Sequence, residues 1–138
     1  MPRLTIVLLA TAAAAGLAAG AAAETPAEIQ QSLARAARQE SPGFAGFSAP
    51  RGAAFFTATQ GREWSCASCH GQDPTKTGRH VKTDKPIQPL APAANAGRFT
   101  RPDKVEKWFR RNCNDVLGRA CSASEKGDVL AWLMSSGK

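Results

Sequence analysis

The sequence predicts an all-α domain, and three observations carry that prediction. Apolar residues recur at intervals of three and four in four segments, which is the spacing of one helix face. Proline opens several of these segments, and glycine or serine follows their ends. No segment shows the strict alternation of a half-buried strand, and no internal repeat is present.

The first predicted helix covers about residues 26–39. Thr25 is a suitable N-cap and Pro26 a suitable first helical residue, while Ser41-Pro42-Gly43 stops the pattern. A second helix is expected over about Pro50–Thr59, where Gly52 and Phe56 lie on one face.

The other two predicted helices lie near the C-terminus. One covers about 102–117, with Gly118 after its last turn, and its inward face combines Val105, Trp108, Phe109, Asn112 and Val116. The last covers about 123–135, where Ser122 and Glu125 form a capping box. The apolar stripe of the first of these helices therefore contains one polar member, Asn112.

Residues 71–100 are rich in Pro, Gly, Lys and Thr and show no sustained period. A segment of this length without regular structure is uncommon in a small domain unless it wraps a bound group. We expect Ile87, Leu90 and Phe99 to lie against such a group.

The N-terminus has the pattern of a secretory signal peptide. Arg3 precedes an uncharged apolar run that is rich in alanine, and Ala21-Ala22-Ala23 fits a cleavage site. The run is short for a membrane span, so we expect cleavage near Ala23, export to the periplasm and a mature protein that is not embedded in the membrane. The whole chain carries a formal net charge of +7. An exported protein rarely meets nucleic acid, so the net positive charge favours an acidic redox partner.

The pattern Cys66-Ala67-Ser68-Cys69-His70 is the attachment signature of c-type haem. Two thiols at this spacing reach the two vinyl groups of a porphyrin, and the histidine that follows reaches the iron. The alternatives are a redox dithiol and half of a zinc site. A redox dithiol would need a βαβ context and zinc a second close ligand pair, and the sequence offers neither. One motif predicts one covalent haem c with its iron on His70.

The sixth iron ligand is less obvious. The mature chain has one methionine, Met134, on the last turn of the last helix, where packing is its expected role. His80 could make a bis-histidine site, act as a distal hydrogen-bond donor or lie on the surface. Asn112 could bind the iron or a ligand on it, because a buried polar group needs a partner, or it could cap a local backbone group. Asn114 is expected on the opposite face and is the weaker candidate.

Cys113 and Cys121 are the two cysteines outside the haem motif. An oxidising compartment predicts a disulfide between them, which would brace the helix end that carries Asn112.

Several segments resemble the sphaeroides haem protein family of small monohaem cytochromes c, over about residues 50–135. They are Gly78-Arg79-His80, Ile87-Gln88-Pro89-Leu90-Ala91-Pro92, Arg98-Phe99-Thr100, Lys107-Trp108-Phe109-Arg110-Arg111-Asn112-Cys113-Asn114-Asp115-Val116-Leu117-Gly118-Arg119, Cys121 and Glu125-Lys126-Gly127-Asp128-Val129-Leu130-Ala131-Trp132-Leu133.

The resemblance implies a high-spin cytochrome with an asparagine as sixth ligand, which matches Asn112. That ligand leaves on reduction and opens the iron to diatomics such as oxygen and nitric oxide. The resemblance also implies a dihaem cytochrome c and a membrane cytochrome b as electron donors. The function is then electron transfer and gas binding rather than catalysis in the strict sense, with reduction of a diatomic or a small oxyanion as the enzymatic possibility.

The predicted organisation is a signal peptide at 1–23, an N-terminal helix with its linker at 24–45 and a cytochrome c domain at 46–138. The predicted fold is a class I-like cytochrome c fold with an extra N-terminal helix and a long loop around the haem. Trp108 joins Ile87, Leu90 and Phe99 as an expected pocket wall. Lys85, Arg79 and Arg98 are candidates for pairing with haem propionates or with a partner.

Overall fold

A computed structural model describes residues 23–137. The predicted signal peptide lies outside the described residues, apart from Ala23. In order along the chain, the elements are α1 (Pro26–Glu40), α2 (Ala49–Thr57), α3 (Cys66–His70), β1 (Gly78–Arg79), β2 (Pro86–Ile87), α4 (Pro102–Leu117) and α5 (Ala123–Ser135). The prediction of an all-α domain is confirmed, because the two strands have only two residues each.

The core forms where α1 and α2 both pack on α5. Phe56 of α2 and Leu130 and Leu133 of α5 are the largest fully buried side chains. Gly52 allows the close approach of α2, since a β-carbon there would overlap the backbone carbonyl of Asp128. The crossing therefore depends on a residue without a side chain at position 52.

An ion pair fixes the same helix crossing. Arg51 Nε lies 2.7 Å from Asp128 Oδ2, and the Ser48 amide donates to Asp128 Oδ1 at 2.7 Å. Asp128 is buried, so its carboxylate needs these donors.

Glu40 joins the last turn of α1 to the first turn of α5. The Ala123 amide donates to Glu40 Oε2 at 2.8 Å. This amide is one of the four that the start of a helix leaves without an internal acceptor. The side chain of one helix therefore caps another helix that lies 83 residues further along the chain.

The predicted helix limits agree closely with the structure. Helices α4 and α5 have the predicted limits, and α1 extends one residue further than expected. Helix α2 begins at Ala49 because Ser48 caps it, and it ends at Thr57 rather than Thr59 because Ala58 is extended.

Three short elements, α3, β1 and β2, were not predicted. Helix α3 has only five residues, which is too short to show a period. The sequence shows no strand pattern, yet β1 and β2 pair antiparallel, with Gly78 opposite Ile87, because two residues are too few to show alternation. No helix within residues 23–137 is long and apolar enough to cross a membrane.

Candidate haem site

The short helix α3 carries the cysteine motif. Ser65 and Ser68 form a capping box at its start, with the Ser65 amide donating to Ser68 Oγ at 3.0 Å. Gly71 ends the helix at a φ of 77°, which a residue with a β-carbon rarely adopts. These two ends confine Cys66, Cys69 and His70 to little more than one turn, as two attachment points and an axial ligand on one porphyrin require.

The β-hairpin packs tightly beneath α3. Gly78 of β1 is buried, and a β-carbon there would overlap the carbonyl oxygen of Cys69 and the Cα of His70. Only glycine allows this approach, so the hairpin fixes the backbone position of the predicted proximal ligand.

A cavity of about 1010 Å³ opens beside the motif. Its volume lies at the upper end of the roughly 300–1,000 Å³ that cofactor sites occupy. Cys66, Cys69 and His70 all line it. The four predicted wall residues also line it: Ile87, Leu90, Phe99 and Trp108.

Burial lowers the pKa of the His70 imidazole to about 4, and the charges of Arg98 and His80 contribute in the same direction. His70 is therefore neutral at pH 7, and a neutral imidazole has the lone pair that an iron ligand needs. No hydrogen bond from another described residue engages the ring.

Burial also raises the pKa of the Cys66 thiol to about 11. A reactive dithiol would instead have a lowered pKa. Within residues 23–137, no group of three or more His, Cys, Asp and Glu side chains could hold a metal ion. The raised pKa weighs against the redox dithiol, and the lack of a ligand cluster among the described residues weighs against the zinc site.

Helix α4 supplies the candidate sixth ligand. Asn112 is half-buried and lines the cavity, as His70 does. Asn114 was expected to point away, but it also borders the cavity, where it is exposed. His80 lines the cavity too, while Met134 is not among the described residues that do.

A disulfide joins Cys113 to Cys121, and both of its cysteines line the cavity. It links the last turns of α4 to the residue just before the Ser122 cap of α5. Asn112 is the direct neighbour of the bonded Cys113, so the backbone beside this asparagine is covalently tied to the core helix.

The lining also contains residues that the sequence alone does not mark as pocket walls. Phe55 and Phe56 of α2 contribute aromatic surface. The apolar face of α4 contributes Val105, Phe109 and Val116, whose spacing had assigned them only to a buried face. Basic side chains border the cavity as well, and no sequence pattern pointed to them: Arg62, Lys82, Arg101, Lys104 and Arg111.

Arg98, which lines the cavity, is held by two backbone carbonyls. Its Nε donates to the Pro89 carbonyl at 2.9 Å, and its Nη2 donates to the Gln88 carbonyl at 2.7 Å. Partial burial lowers the pKa of this guanidinium, although it stays charged at neutral pH. Arg79 and Lys85 do not line the cavity, and Arg79 pairs with Asp84 instead.

Comparison with known proteins agrees with this geometry. Residues 42–133 match a family model described as a domain of unknown function, DUF1924. The cytochrome c-type protein SHP of Cereibacter sphaeroides is 52% identical over 89 residues, which are 62% of this chain and 68% of that protein. The chain belongs to the SHP family. Cytochrome c'' of Methylophilus methylotrophus is 47% identical over 83 residues, and the match spans 60% of this chain and 58% of that relative.

Solved structures of the SHP family extend the match. Oxidised SHP, described as an oxygen-binding cytochrome c, superposes with a TM-score of 0.73 at 42% identity over 84% of this chain and 99% of its own. Oxidised cytochrome c'' from Methylophilus methylotrophus superposes with a TM-score of 0.73 at 38% identity, over 82% of this chain and 95% of its own. These matches confirm the predicted cytochrome c fold and identify a monohaem c-type cytochrome with covalently bound haem c.

The residues present fit that haem. Two thiols and a neutral imidazole are the donor set that covalent attachment and axial coordination require. Aromatic and aliphatic side chains make up much of the remaining wall, as a porphyrin surface needs. Cys66 and Cys69 would hold the haem and His70 its iron.

Proposed function

We propose that this member of the SHP family is a periplasmic high-spin cytochrome whose Asn112 binds the oxidised iron and is released on reduction. The reduced iron would then be open to a small diatomic such as O2 or NO. One observation carries the proposal: Asn112 and His70 line the same cavity, and no methionine of residues 23–137 does.

The chemistry of the amide supports a ligand that can leave. An amide oxygen is a hard donor, so it binds ferric iron better than ferrous iron, which prefers softer ligands. Haem c supplies the one-electron couple and the iron that a diatomic would occupy. Asn112 supplies a competing donor whose affinity depends on the oxidation state.

The other residues have positioning and anchoring roles in this proposal. Cys66 and Cys69 anchor the haem, and His70 holds the iron from the short helix α3. Ile87, Leu90 and Phe99 are partly buried walls that would exclude water from the ring. Trp108 also lines the cavity, but it is 49% exposed, so it would cover the ring from the surface.

The basic character of the chain supports the choice of partner. We propose that an acidic redox protein delivers the electron, with a dihaem cytochrome c and a membrane cytochrome b as the donors that the family resemblance implies. Export through a cleaved signal peptide at 1–23 would place the protein beside such donors. The mature chain would then consist of the α1 segment at 24–45 and a cytochrome c domain at 46–138. Turnover with an added acceptor would be the evidence for an enzyme.

An absorption spectrum of the reduced protein, recorded with and without carbon monoxide, tests the proposal. We expect a high-spin ferrous spectrum that carbon monoxide converts to low spin. A low-spin ferrous spectrum that carbon monoxide leaves unchanged would favour the alternative of a plain electron carrier with a closed six-coordinate iron.

Substitution tests the ligand itself. Asn112→Ala should change the ferric spectrum, whereas Asn114→Ala should leave it as in the wild type. His80→Ala tests the bis-histidine alternative, and a ferric spectrum altered by this change alone would identify His80 as the ligand. A wild-type ferric spectrum in Asn112→Ala would exclude Asn112.

A further inference from the structure

Helix α4 carries Asn112 but is attached to the rest of the chain at few points. Its C-terminal part is secured by the disulfide at Cys113 and by the buried side chain of Val116. The turn that follows is also confined, because the Arg62 side chain packs against Gly118. One end of this helix is thus firmly held.

The N-terminal half of α4 is mostly exposed and has a single polar link to the core. Lys126 Nζ of α5 lies 2.8 Å from both carboxylate oxygens of Glu106. Within residues 23–137, no other side chain of α4 makes a hydrogen bond to another helix. Phe109 adds an apolar contact with the core cluster, but such a contact has no fixed direction.

The two partners of this ion pair differ in exposure. The Lys126 side chain is 13% exposed, and that of Glu106 is 58% exposed. Lys126 therefore has little freedom to move, while Glu106 reaches it from the surface of α4. An ion pair that engages both carboxylate oxygens restricts the rotation of α4 about its axis. Solvent screens this pair only partly, because Lys126 is mostly buried.

We propose that the Glu106–Lys126 ion pair is a latch that holds α4 in the orientation from which Asn112 binds the iron. This inference rests on the proposed function, because it presumes that Asn112 is the sixth ligand. Asn112 lies between the ion pair and the disulfide, six residues after Glu106 and one before Cys113. Without this ion pair, the described residues would hold α4 only at its C-terminal end and by the apolar contact of Phe109, so its N-terminal half could rotate.

A small rotation is enough to weaken coordination. Side chains lie about 5 Å from the axis of a helix, so a rotation of about 10° moves the Asn112 amide by about 1 Å. A ligand must stay within about 0.5 Å of its productive position. Glu106 and Lys126 are thus positioning residues that act on the iron through Asn112.

Imidazole competes with Asn112 for the ferric iron. Its binding to the holoprotein at about pH 8, where most of the imidazole is uncharged, therefore measures the effect of the latch. Glu106→Gln and Lys126→Met should each lower the apparent Kd of imidazole by roughly two- to fivefold, the range that an ion pair of this exposure supports. Asp103→Asn is the matched control. It removes a carboxylate on α4 that pairs only with the adjacent Arg101, and it should leave the Kd unchanged.

The direction of the two effects separates a latch from a simple charge effect. Glu106→Gln and Lys126→Met change the net charge in opposite directions, so a long-range field would move the Kd in opposite directions. A latch moves both the same way, and the charge-swapped double variant Glu106→Lys with Lys126→Glu should restore the wild-type Kd. Thermal unfolding of each variant verifies that it is folded.

The outcomes distinguish the latch from the proposed function. If Asn112→Ala alters the ferric spectrum but neither Glu106→Gln nor Lys126→Met changes the Kd beyond Asp103→Asn, the latch is wrong and the ligand stands. Opposite shifts in the two variants would also overturn the latch. If Asn112→Ala has the wild-type ferric spectrum, the proposed function fails, and the latch fails with it.

Discussion

Gly52 of α2 lies against the backbone carbonyl of Asp128 in α5, so closely that a β-carbon at position 52 would overlap it. The carboxylate of the same Asp128 accepts from Arg51 and from the Ser48 amide. One residue of α5 therefore meets α2 through its backbone and its side chain together, and this crossing supports the wall of the haem cavity to which Phe56 contributes.

Gly52→Ala should destabilise the holoprotein by about 3 kcal/mol, the upper end of the cost of overpacking, because the obstructing atoms belong to a helix backbone. Gly43→Ala is the control, since a β-carbon there meets nothing within 4 Å, and its effect should stay within about 0.5 kcal/mol. Urea unfolding followed by circular dichroism gives both values. Equal stability of the two variants would contradict the role given to Gly52.

Removal of the disulfide by Cys113→Ser with Cys121→Ser should cost about 2–3 kcal/mol. The bond closes a loop whose ends are 8 residues apart, and closure of a loop of this length restricts the unfolded chain by that amount. Thermal unfolding of the oxidised protein and of the double variant tests this. If reduction of the wild-type disulfide lowers the unfolding temperature and the double variant does not, the serines have introduced compensating contacts.

The Glu125 carboxylate should stabilise the start of α5 in a pH-dependent way. The hydrogen bond from Arg119 and, to a smaller extent, the Ser122 amide hold the pKa of this carboxyl below its ordinary value of 4.5. As the pH falls, the unfolded chain takes up this proton before the folded chain does. The stabilisation is therefore complete above pH 4.5 and is lost as the pH falls through the lower pKa of the folded state.

Glu125→Gln should accordingly lower the free energy of unfolding at pH 7 by about 1 kcal/mol, since it weakens a capping box and a partly exposed ion pair. The difference from the wild type should shrink below pH 4.5. Glu63→Gln is the control, because Glu63 is exposed and makes no hydrogen bond to a described residue. A difference that persists unchanged at low pH would show that the charge is not responsible.

Arg98 should raise the reduction potential of the iron. Its fixed positive charge already disfavours a proton on His70, and the same charge disfavours the ferric state relative to the ferrous state. Arg98→Gln should lower the midpoint potential by roughly tens of millivolts in a redox titration. Arg79→Gln, which removes an exposed cation outside the cavity lining, should have a smaller effect.

The parts of the fold that the sequence predicts best have local causes. Helix α4 starts at Pro102 and ends before Gly118, which has a φ of 74°, and α5 starts at the capping box of Ser122 and Glu125. Each of these signals is readable from the sequence alone. The five-residue α3 and the two-residue strands show no periodicity, because they depend on the packing of Gly78 against the motif. Local patterns cannot reveal contacts of that kind.

The candidate site likewise combines residues that a local motif predicts with contacts that the sequence does not reveal. Cys66, Cys69 and His70 follow from one motif, whereas Arg51 and Asp128 lie 77 residues apart and have no sequence signature. Residue type also does not predict the left-handed backbone of Phe99, which has a φ of 55°. The sequence therefore predicted the haem attachment, and the structure added the helix contacts that position the cavity walls.

The hydrogen bond from the Ala123 amide to Glu40 makes the end of α1 part of the folded domain. The stretch shared with the family model starts at residue 42, two residues after the acceptor of that hydrogen bond. A chain that began there would leave the first amide of its central helix without an acceptor and would uncover the face of α5 on which α1 packs. The stretch that the family model covers is thus too short to complete the hydrogen bonds of its own central helix.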